Sequence, residues 1–188
     1  MRFLIVTIGT AGDVHPYIAV ALALKRRGHE VTMVANPHFA DRITRVGLGH
    51  RPMGAEAEYD RFVTHPGLMG GIRGPIYVLR EFIVPAIGPT AAAIAGAHAQ
   101  TPFDGVFAHF ICFGAPRAAE KLGIPCVSGV LAPMFWNSRH DRSRWAGLPD
   151  SLPAWIDRPV RRLMRRGAGL LFDPIVNRAL EGIGAPRS

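Results

Sequence analysis

Cysteine is scarce in this sequence, with two residues, Cys112 and Cys126, among 188. Their spacing fits no CxxC or CxxH pattern, so we expect neither a disulfide framework nor a structural zinc site. HExxH and similar histidine–carboxylate spacings are also lacking, and we predict no metal site. So few cysteines are typical of a protein from a reducing compartment.

Long hydrophobic runs are lacking as well. The longest apolar tract, residues 83–97, is interrupted by Pro85 and Pro89 and is shorter than the roughly 20 residues that span a bilayer. The apolar run at 3–8 is too short for a secretory signal, whose apolar region needs about 7–15 residues. We therefore predict a soluble, cytoplasmic protein.

Acidic residues are few relative to basic ones, 14 against 22, and the formal net charge is +8. Twenty of the 22 basic residues are arginine. Such a surplus suits nucleic acid, an anionic lipid surface or an acidic ligand, and composition does not choose among them. Because no aromatic platform or nucleic-acid-binding motif accompanies the arginines, we expect no nucleic-acid partner.

What the sequence does contain is an alternation of apolar strands, helices and turns. Strands are predicted at 3–8, 29–35, 48–53, 103–111 and 124–131, with helices between them. This alternation predicts an α/β fold, a Rossmann-like doubly wound and mainly parallel sheet. The first helix is expected to begin with Pro16 at its first position and to end before Gly28 as the C′ residue.

The segments outside this alternation are less regular. Residues 54–75 are rich in glycine and are predicted to form a long mobile loop. A helix kinked by its prolines is expected at 76–99. Residues 133–188 are predicted to be a loop followed by helices at 158–171 and 174–182.

The most informative motif is the turn from Gly9 to Pro16, between the first strand and the first helix. Ligands of α/β proteins bind at the carboxyl ends of strands, so Asp13 is a candidate general base there. Asp13 is equally a candidate cap for the helix. Gly9 and Gly12 permit either a tight structural turn or the close approach of a ligand, for example a phosphate at the helix N-terminus.

Two histidines accompany this turn. His109 ends the fourth strand at the same sheet edge as Asp13, so the two could form an acid–base pair. Its other interpretation is an ordinary hydrogen-bonded histidine at a strand end. His15 is either a second polar group of the site or an exposed residue at the start of the helix.

Arginines and apolar residues lie on opposite faces of the predicted helix at 158–171. One interpretation is a solvated face above a stripe of core residues. The other is a membrane-surface helix near a lipid substrate. The arginines are Arg158, Arg161, Arg162, Arg165 and Arg166, and the apolar residues are Val160, Leu163, Met164, Leu170 and Leu171.

Three segments together resemble a known family. They are residues 5–17 followed by Arg27-Gly28-His29-Glu30-Val31, residues 118–125, and the loop Ala132-Pro133-Met134. They resemble the N-terminal domain of glycosyltransferase family 28 and the related UDP-glycosyltransferases. The Gly12-Asp13 pair and the segment 59–70 are most similar to sterol glucosyltransferase-like and rhamnosyltransferase-like members.

The resemblance implies a GT-B architecture, in which two Rossmann-like domains face each other across a cleft. Residues 1–132 would be the acceptor-binding domain, and residues 133–188 would complete this N-terminal half. The domain that binds the nucleotide-sugar would then be missing from this chain, so we expect the chain alone to be inactive.

The implied activity is inverting transfer of a sugar from a UDP- or dTDP-sugar to a hydroxyl of a lipid, sterol or polyketide-like acceptor. The nucleotide-sugar would be a co-substrate, and no cofactor is implied. Asp13 would act as the base, His109 would orient or polarise it, and Gly9, Thr10 and Gly12 would approach the donor phosphates. The acceptor pocket would be formed by His15, Tyr77, Phe82, Phe110, Met134 and Trp136.

Two alternatives remain open at this point. The chain could be a non-catalytic domain that binds an apolar ligand or a partner and acts with a separate donor-binding subunit. It could also contact the inner face of a membrane through residues 158–171.

Overall fold

The computed structural model describes residues 1–69, 73–132 and 153–184, and its centre is a five-stranded parallel sheet. The strands are β1 (Arg2–Val6), β2 (Glu30–Ala35), β3 (Gly49–Pro52), β4 (Gly105–His109) and β5 (Cys126–Gly129). Their order is β3-β2-β1-β4-β5, and every neighbouring pair is parallel. The predicted Rossmann-like sheet is confirmed, with β1 at its centre.

Seven α-helices are described around this sheet. They are α1 (Ala11–Arg26), α2 (Ala40–Arg45), α3 (Glu56–Thr64), α4 (Arg73–Tyr77), α5 (Val84–Gln100), α6 (Gly114–Leu122) and α7 (Ala154–Glu181). Short 3-10 turns occupy Pro37–Phe39 and Pro66–Met69, and a π-helical segment, Val78–Ile83, joins α4 to α5.

The sheet is covered on both faces, as alternate side chains of β1 show. Leu4 and Val6 pack on one face, in a cluster with residues of α5 and α6. Ile5 packs on the other face, in a cluster with residues of α1 and α2. Because strand side chains alternate between faces and both faces are covered, β1 is apolar from Phe3 to Val6.

The first helix begins earlier than predicted. Thr10 is its N-cap, so Pro16 is the sixth helical residue rather than the first. Asp13 is the third helical residue and completes a capping box with Thr10, which stabilises the beginning of the helix at Ala11. The preference of proline for the first helical position therefore predicted a beginning that is too late in the sequence. At the other end, Gly28 has a φ of +82°, as expected for a C′ glycine.

The prediction of a long loop at 54–75 is wrong for most of that segment. Residues Glu56–Thr64 form α3, whose start is stabilised because the Glu58 carboxylate accepts a hydrogen bond from the Ala55 N–H at 3.1 Å. The glycines that suggested a loop lie outside this nine-residue helix, which contains none. The prediction used the glycine content of residues 54–75 as a whole and therefore did not detect this helix.

The helical stretch after this segment is longer than the apolar tract in the sequence. Gly74–Gln100, with a mean hydropathy of 1.4, is long and apolar enough to cross a bilayer, the one such helix within the described ranges. Its side chains Ile87, Thr90, Ile94 and Ala97 are buried in the fold, and α5 packs closely against α6. One side of the helix is therefore packed in the core, and 28% of its apolar window is buried.

The two helices predicted at 158–171 and 174–182 are one helix, α7, which continues through Pro159 and Pro174. A proline removes one backbone hydrogen bond, and packing of the C-terminal turns of α7 compensates for it. There Leu180 is buried with Ile87 in a cluster that also includes Phe113. The interpretation of the apolar side chains of α7 as core residues is wrong, because Leu163, Met164, Leu170 and Leu171 are exposed.

Candidate active site

Two neighbouring strands bring Asp13 and His109 together. Because β1 and β4 pair in parallel, the turn after β1 and the end of β4 meet at one edge of the sheet. Asp13 lies in the first turn of α1, directly after that turn, and His109 is the last residue of β4. The Asp13 Oδ1 and His109 Nε2 atoms are 3.7 Å apart.

The two carboxylate oxygens of Asp13 have different surroundings. Oδ2 accepts hydrogen bonds from the Thr10 N–H at 2.7 Å and the Thr10 hydroxyl at 3.0 Å. Oδ1 faces His109, and the side chain as a whole is 33% exposed. Asp13 is therefore not the N-cap, which is Thr10, but one of its oxygens completes the capping box. The other oxygen faces His109, so this stabilising contact is compatible with the interpretation of Asp13 as a base.

Gly9 makes room for this carboxylate. Its φ is +118°, a conformation that favours glycine, and a Cβ at this position would lie 2.3 Å from Asp13 Oδ2. Gly12 has no such steric reason, since a Cβ there would meet only the Thr10 hydroxyl, at 3.6 Å, within the described residues. Close approach of a ligand remains an explanation for Gly12.

His109 is buried, with 2% of its surface exposed. Burial lowers the pKa of His109 below its ordinary value of 6.5, and the neighbouring Asp13 offsets this only in part. The imidazole is therefore neutral at pH 7. Neither ring nitrogen has a hydrogen-bond partner within the part of the chain that the structure describes, an uncommon state for a buried polar group.

Tyr17 is a residue of this site that the sequence analysis missed. Its ring contacts the His109 ring edge-on, with centroids 5.4 Å apart, and its hydroxyl donates a hydrogen bond to the Gly129 carbonyl at 2.7 Å. Burial raises the pKa of Tyr17, which keeps this donor protonated. The sequence spacing could have identified Tyr17, because a helical residue four positions after Asp13 lies on the same face of the helix as Asp13.

A cavity of about 930 Å³ reaches this sheet edge at Ile8 and Gly9. It extends from there to α3 and the π-helical segment before α5. Gly9 lies next to the Asp13 carboxylate, but neither Asp13 nor His109 is part of the cavity wall. Aromatic and apolar side chains form much of this wall: Met53, Tyr59, Phe62, Tyr77, Phe82, Pro85 and Pro89.

Stacked rings stiffen the cavity wall. Phe62 stacks on Phe82 with centroids 3.9 Å apart, and His65 stacks on Tyr77 at 4.2 Å. Charged side chains also reach the wall, among them Glu58, Arg61 and Glu81. Such a lining suits an apolar ligand that carries a few polar groups.

Of the residues predicted to form the acceptor pocket, some line the cavity and others do not. Tyr77 and Phe82 line the cavity, whereas His15 and Phe110 do not. His15 contacts the Arg42 guanidinium, and Phe110 packs against the His109 ring with centroids 4.8 Å apart. Met134 and Trp136 lie outside the described residues.

Comparison with known proteins gives the chain its family. Residues 3–139 match the glycosyltransferase family 28 N-terminal domain. Vancomycin aglycone glucosyltransferase from Amycolatopsis orientalis is 30% identical over 191 residues, which cover 99% of this chain and 44% of that enzyme. Sterol 3-beta-glucosyltransferase from Candida albicans is 32% identical over 136 residues, which cover 69% of this chain and 8% of that protein.

Solved structures show the same fold. The glycotransferase of kitacinnamycin superposes with a TM-score of 0.60 at 18% identity, covering 98% of this chain and 41% of that one. The chain thus spans less than half the length of these relatives. With its Rossmann-like sheet and a match over 3–139, the chain belongs to glycosyltransferase family 28 and carries the N-terminal domain of that family.

Proposed function

We propose that this chain provides the acceptor site and the general base of an inverting glycosyltransferase. The sugar would come from a UDP- or dTDP-sugar, and the acceptor would be a hydroxyl of a lipid, sterol or polyketide-like molecule. The observation that carries the proposal is the pairing of Asp13 with the buried His109 beside the cavity. The names of two relatives, which describe glucose transfer to an aglycone and to a sterol, support it.

The solvent exposure of the two side chains indicates which of them would contact the acceptor. His109 is 2% exposed and has no direct route to a ligand, whereas the Asp13 side chain is 33% exposed. Asp13 is therefore the base, and His109 is a positioning residue behind it.

The reaction follows from this arrangement. As the acceptor hydroxyl attacks the anomeric carbon, its proton moves to the Asp13 carboxylate. The new carbon–oxygen bond forms on the face opposite the nucleotide, the bond to the diphosphate breaks, and the nucleoside diphosphate leaves with the electron pair. Attack from the opposite face inverts the anomeric configuration.

His109 assists because it is neutral. In the tautomer that carries a proton on Nε2, the ring presents an N–H to Asp13 Oδ1 across 3.7 Å, slightly more than hydrogen-bond length. Shortening of this gap when the site closes would satisfy the buried donor and hold the carboxylate in place. A neutral ring also leaves the carboxylate a better proton acceptor than an imidazolium partner would.

The donor would reach the same edge from a second domain. The turn Gly9–Gly12 and the N-terminus of α1 are suited to the diphosphate, because helix N-termini attract phosphate groups. Gly12 leaves space for that approach, as no described neighbour requires a glycine there. The partner of this chain would therefore be a donor-binding domain.

The test is sugar transfer by this chain joined to a donor-binding domain of the family. We expect transfer to a sterol, lipid or polyketide hydroxyl, with the anomeric configuration of the product inverted in its NMR spectrum. Retained configuration contradicts the mechanism. If an apolar acceptor raises the melting temperature of the chain but no donor supports transfer, the chain is a binding module.

A further inference from the structure

Helix α7 presents an apolar face to the outside of the described fold. The fractional exposures are 71% for Leu163, 80% for Leu170 and 65% for Leu171, and Met164 is 45% exposed. These four residues, together with Trp155, which is 77% exposed, form what we call the outer face of α7. So many large apolar side chains on one exposed helix mark an interaction surface.

Other positions of the same helix contact the fold. Near the N-terminal end, Asp157 is 5% exposed and accepts a hydrogen bond from the Arg161 guanidinium at 2.7 Å. Near the C-terminal end, Leu180 is buried against Ile87. The helix is therefore held to the fold at both ends, while the leucines between these contacts are exposed.

Arginines border the outer face. At 100° per residue, Leu163 and Leu170 lie within about 20° of each other, and Arg162 and Arg166 lie on the flank beside them. Both arginines are exposed, and they outnumber Asp173 on that flank. The result is an apolar strip with a basic edge, as in helices that lie in a membrane interface.

We propose that the outer face of α7 binds the surface of an anionic lipid bilayer. The leucines and Met164 would enter the boundary between head groups and acyl chains, and Trp155 would lie at head-group level. Arg162 and Arg166 would contact the lipid phosphates. The net charge of +8 favours an anionic surface over a neutral one and would bring the chain to it.

This proposal goes beyond sugar transfer and does not depend on it. It would place a cavity suited to apolar acceptors on a protein bound to the surface where lipid acceptors are found. A second copy of the chain or another protein domain could also cover an apolar strip, but neither requires the basic border. We therefore commit to the bilayer and treat the others as outcomes of the test.

The test measures binding of the full chain to vesicles of phosphatidylcholine alone and of equimolar phosphatidylcholine and phosphatidylglycerol. We expect binding to the anionic vesicles that weakens as salt shortens the range of electrostatic attraction. The variant Arg162→Gln/Arg166→Gln should lose about 30-fold in affinity, at about fivefold per basic residue. Leu163→Ser/Leu170→Ser should lose about tenfold or more.

Matched control variants distinguish binding through the outer face of α7 from a general effect of net charge or hydrophobicity on vesicle binding. Arg26→Gln/Arg27→Gln removes the same charge from exposed positions at the end of α1, and Val46→Ser removes an exposed apolar side chain elsewhere. Both should bind vesicles nearly as the parent does. Because every changed side chain is exposed, urea unfolding should show equal stability throughout.

Three results overturn the proposal. The first is no preference of the parent chain for anionic vesicles. The second is equal loss in the Arg26/Arg27 variant, which would mean non-specific attraction by net charge. The third is unchanged vesicle binding by the leucine variant combined with loss of self-association or of binding to a donor-binding domain, which would identify a protein interface.

Discussion

The two carboxylate oxygens of Asp13 have different neighbours. Oδ2 completes the capping box with Thr10, and Oδ1 lies 3.7 Å from a neutral, buried imidazole. Gly9 holds the space that the carboxylate fills. The turn after β1 therefore fixes the orientation of the carboxylate before any acceptor binds.

Substituting Gly9→Ala tests that fit. Alanine at this position would have to adopt a φ of +118°, and its Cβ would lie 2.3 Å from Asp13 Oδ2. We therefore expect a loss of about 1–3 kcal/mol of stability in urea unfolding. Gly28→Ala is the control, because Gly28 also has a positive φ, +82°, but no neighbouring side chain or backbone in the described part of the chain lies within 4 Å of the added Cβ. An equal loss in both variants contradicts the role assigned to Gly9.

His109 gives the fold a defined pH dependence. Its pKa is lowered by burial, so between that pKa and 6.5 the unfolded chain binds more protons than the folded one. The stability from a neutral His109 is complete above pH 6.5 and is lost as the pH falls toward the lowered pKa. His109→Phe should therefore unfold less steeply on acidification than the parent.

Urea unfolding at several pH values checks this expectation. His29→Gln, at the opposite edge of the sheet, is the control and should keep the pH dependence of the parent. If His109→Phe and the parent lose stability in parallel below pH 6.5, His109 is not the group that titrates.

At the scale of helices and strands, the sequence predicted what depends on local pattern. The five strands and their parallel pairing follow from the alternation of apolar runs and helices, and that pairing placed Asp13 and His109 at one edge. Helix α3 was missed because the glycines on either side of it made residues 54–75 as a whole resemble a loop. Whether the leucines of α7 face the core or the outside was left open, because amphipathicity defines a face but not the neighbour that it contacts.

The contact between α5 and α6 gives an element-scale prediction. A Cβ on Gly114 would lie 2.2 Å from the Ile87 carbonyl oxygen, so Gly114→Ala must push the two helices apart. We expect a loss of about 1–3 kcal/mol in urea unfolding. Gly96→Ala, on an exposed position of α5 with open space around it, should instead gain about 0.5–1 kcal/mol.

A stability gain at both positions would contradict the close packing of these helices. It would also weaken the assignment of one side of Gly74–Gln100 to the core, which rests on the same contact.

At the scale of the molecule, a single sheet edge organises the proposed function. The cavity of about 930 Å³ has Gly9 in its wall, and Gly9 lies next to the carboxylate of the acid–histidine pair in the turn that leads into α1. Sequence patterns located this edge, and the family resemblance placed Tyr77 and Phe82 in the pocket. The part of the wall that α3 provides was not predicted, since that helix was taken for a loop.

The most direct measurement compares kcat for Asp13→Asn with the parent, both joined to a donor-binding domain. Asparagine keeps an oxygen that accepts from Thr10, so the fold and the KM for the acceptor should persist while kcat falls about 10²–10⁴-fold. Asp41→Asn, an exposed carboxylate in α2, is the control and should leave kcat unchanged. Parent-like kcat in Asp13→Asn would show that another group takes the proton.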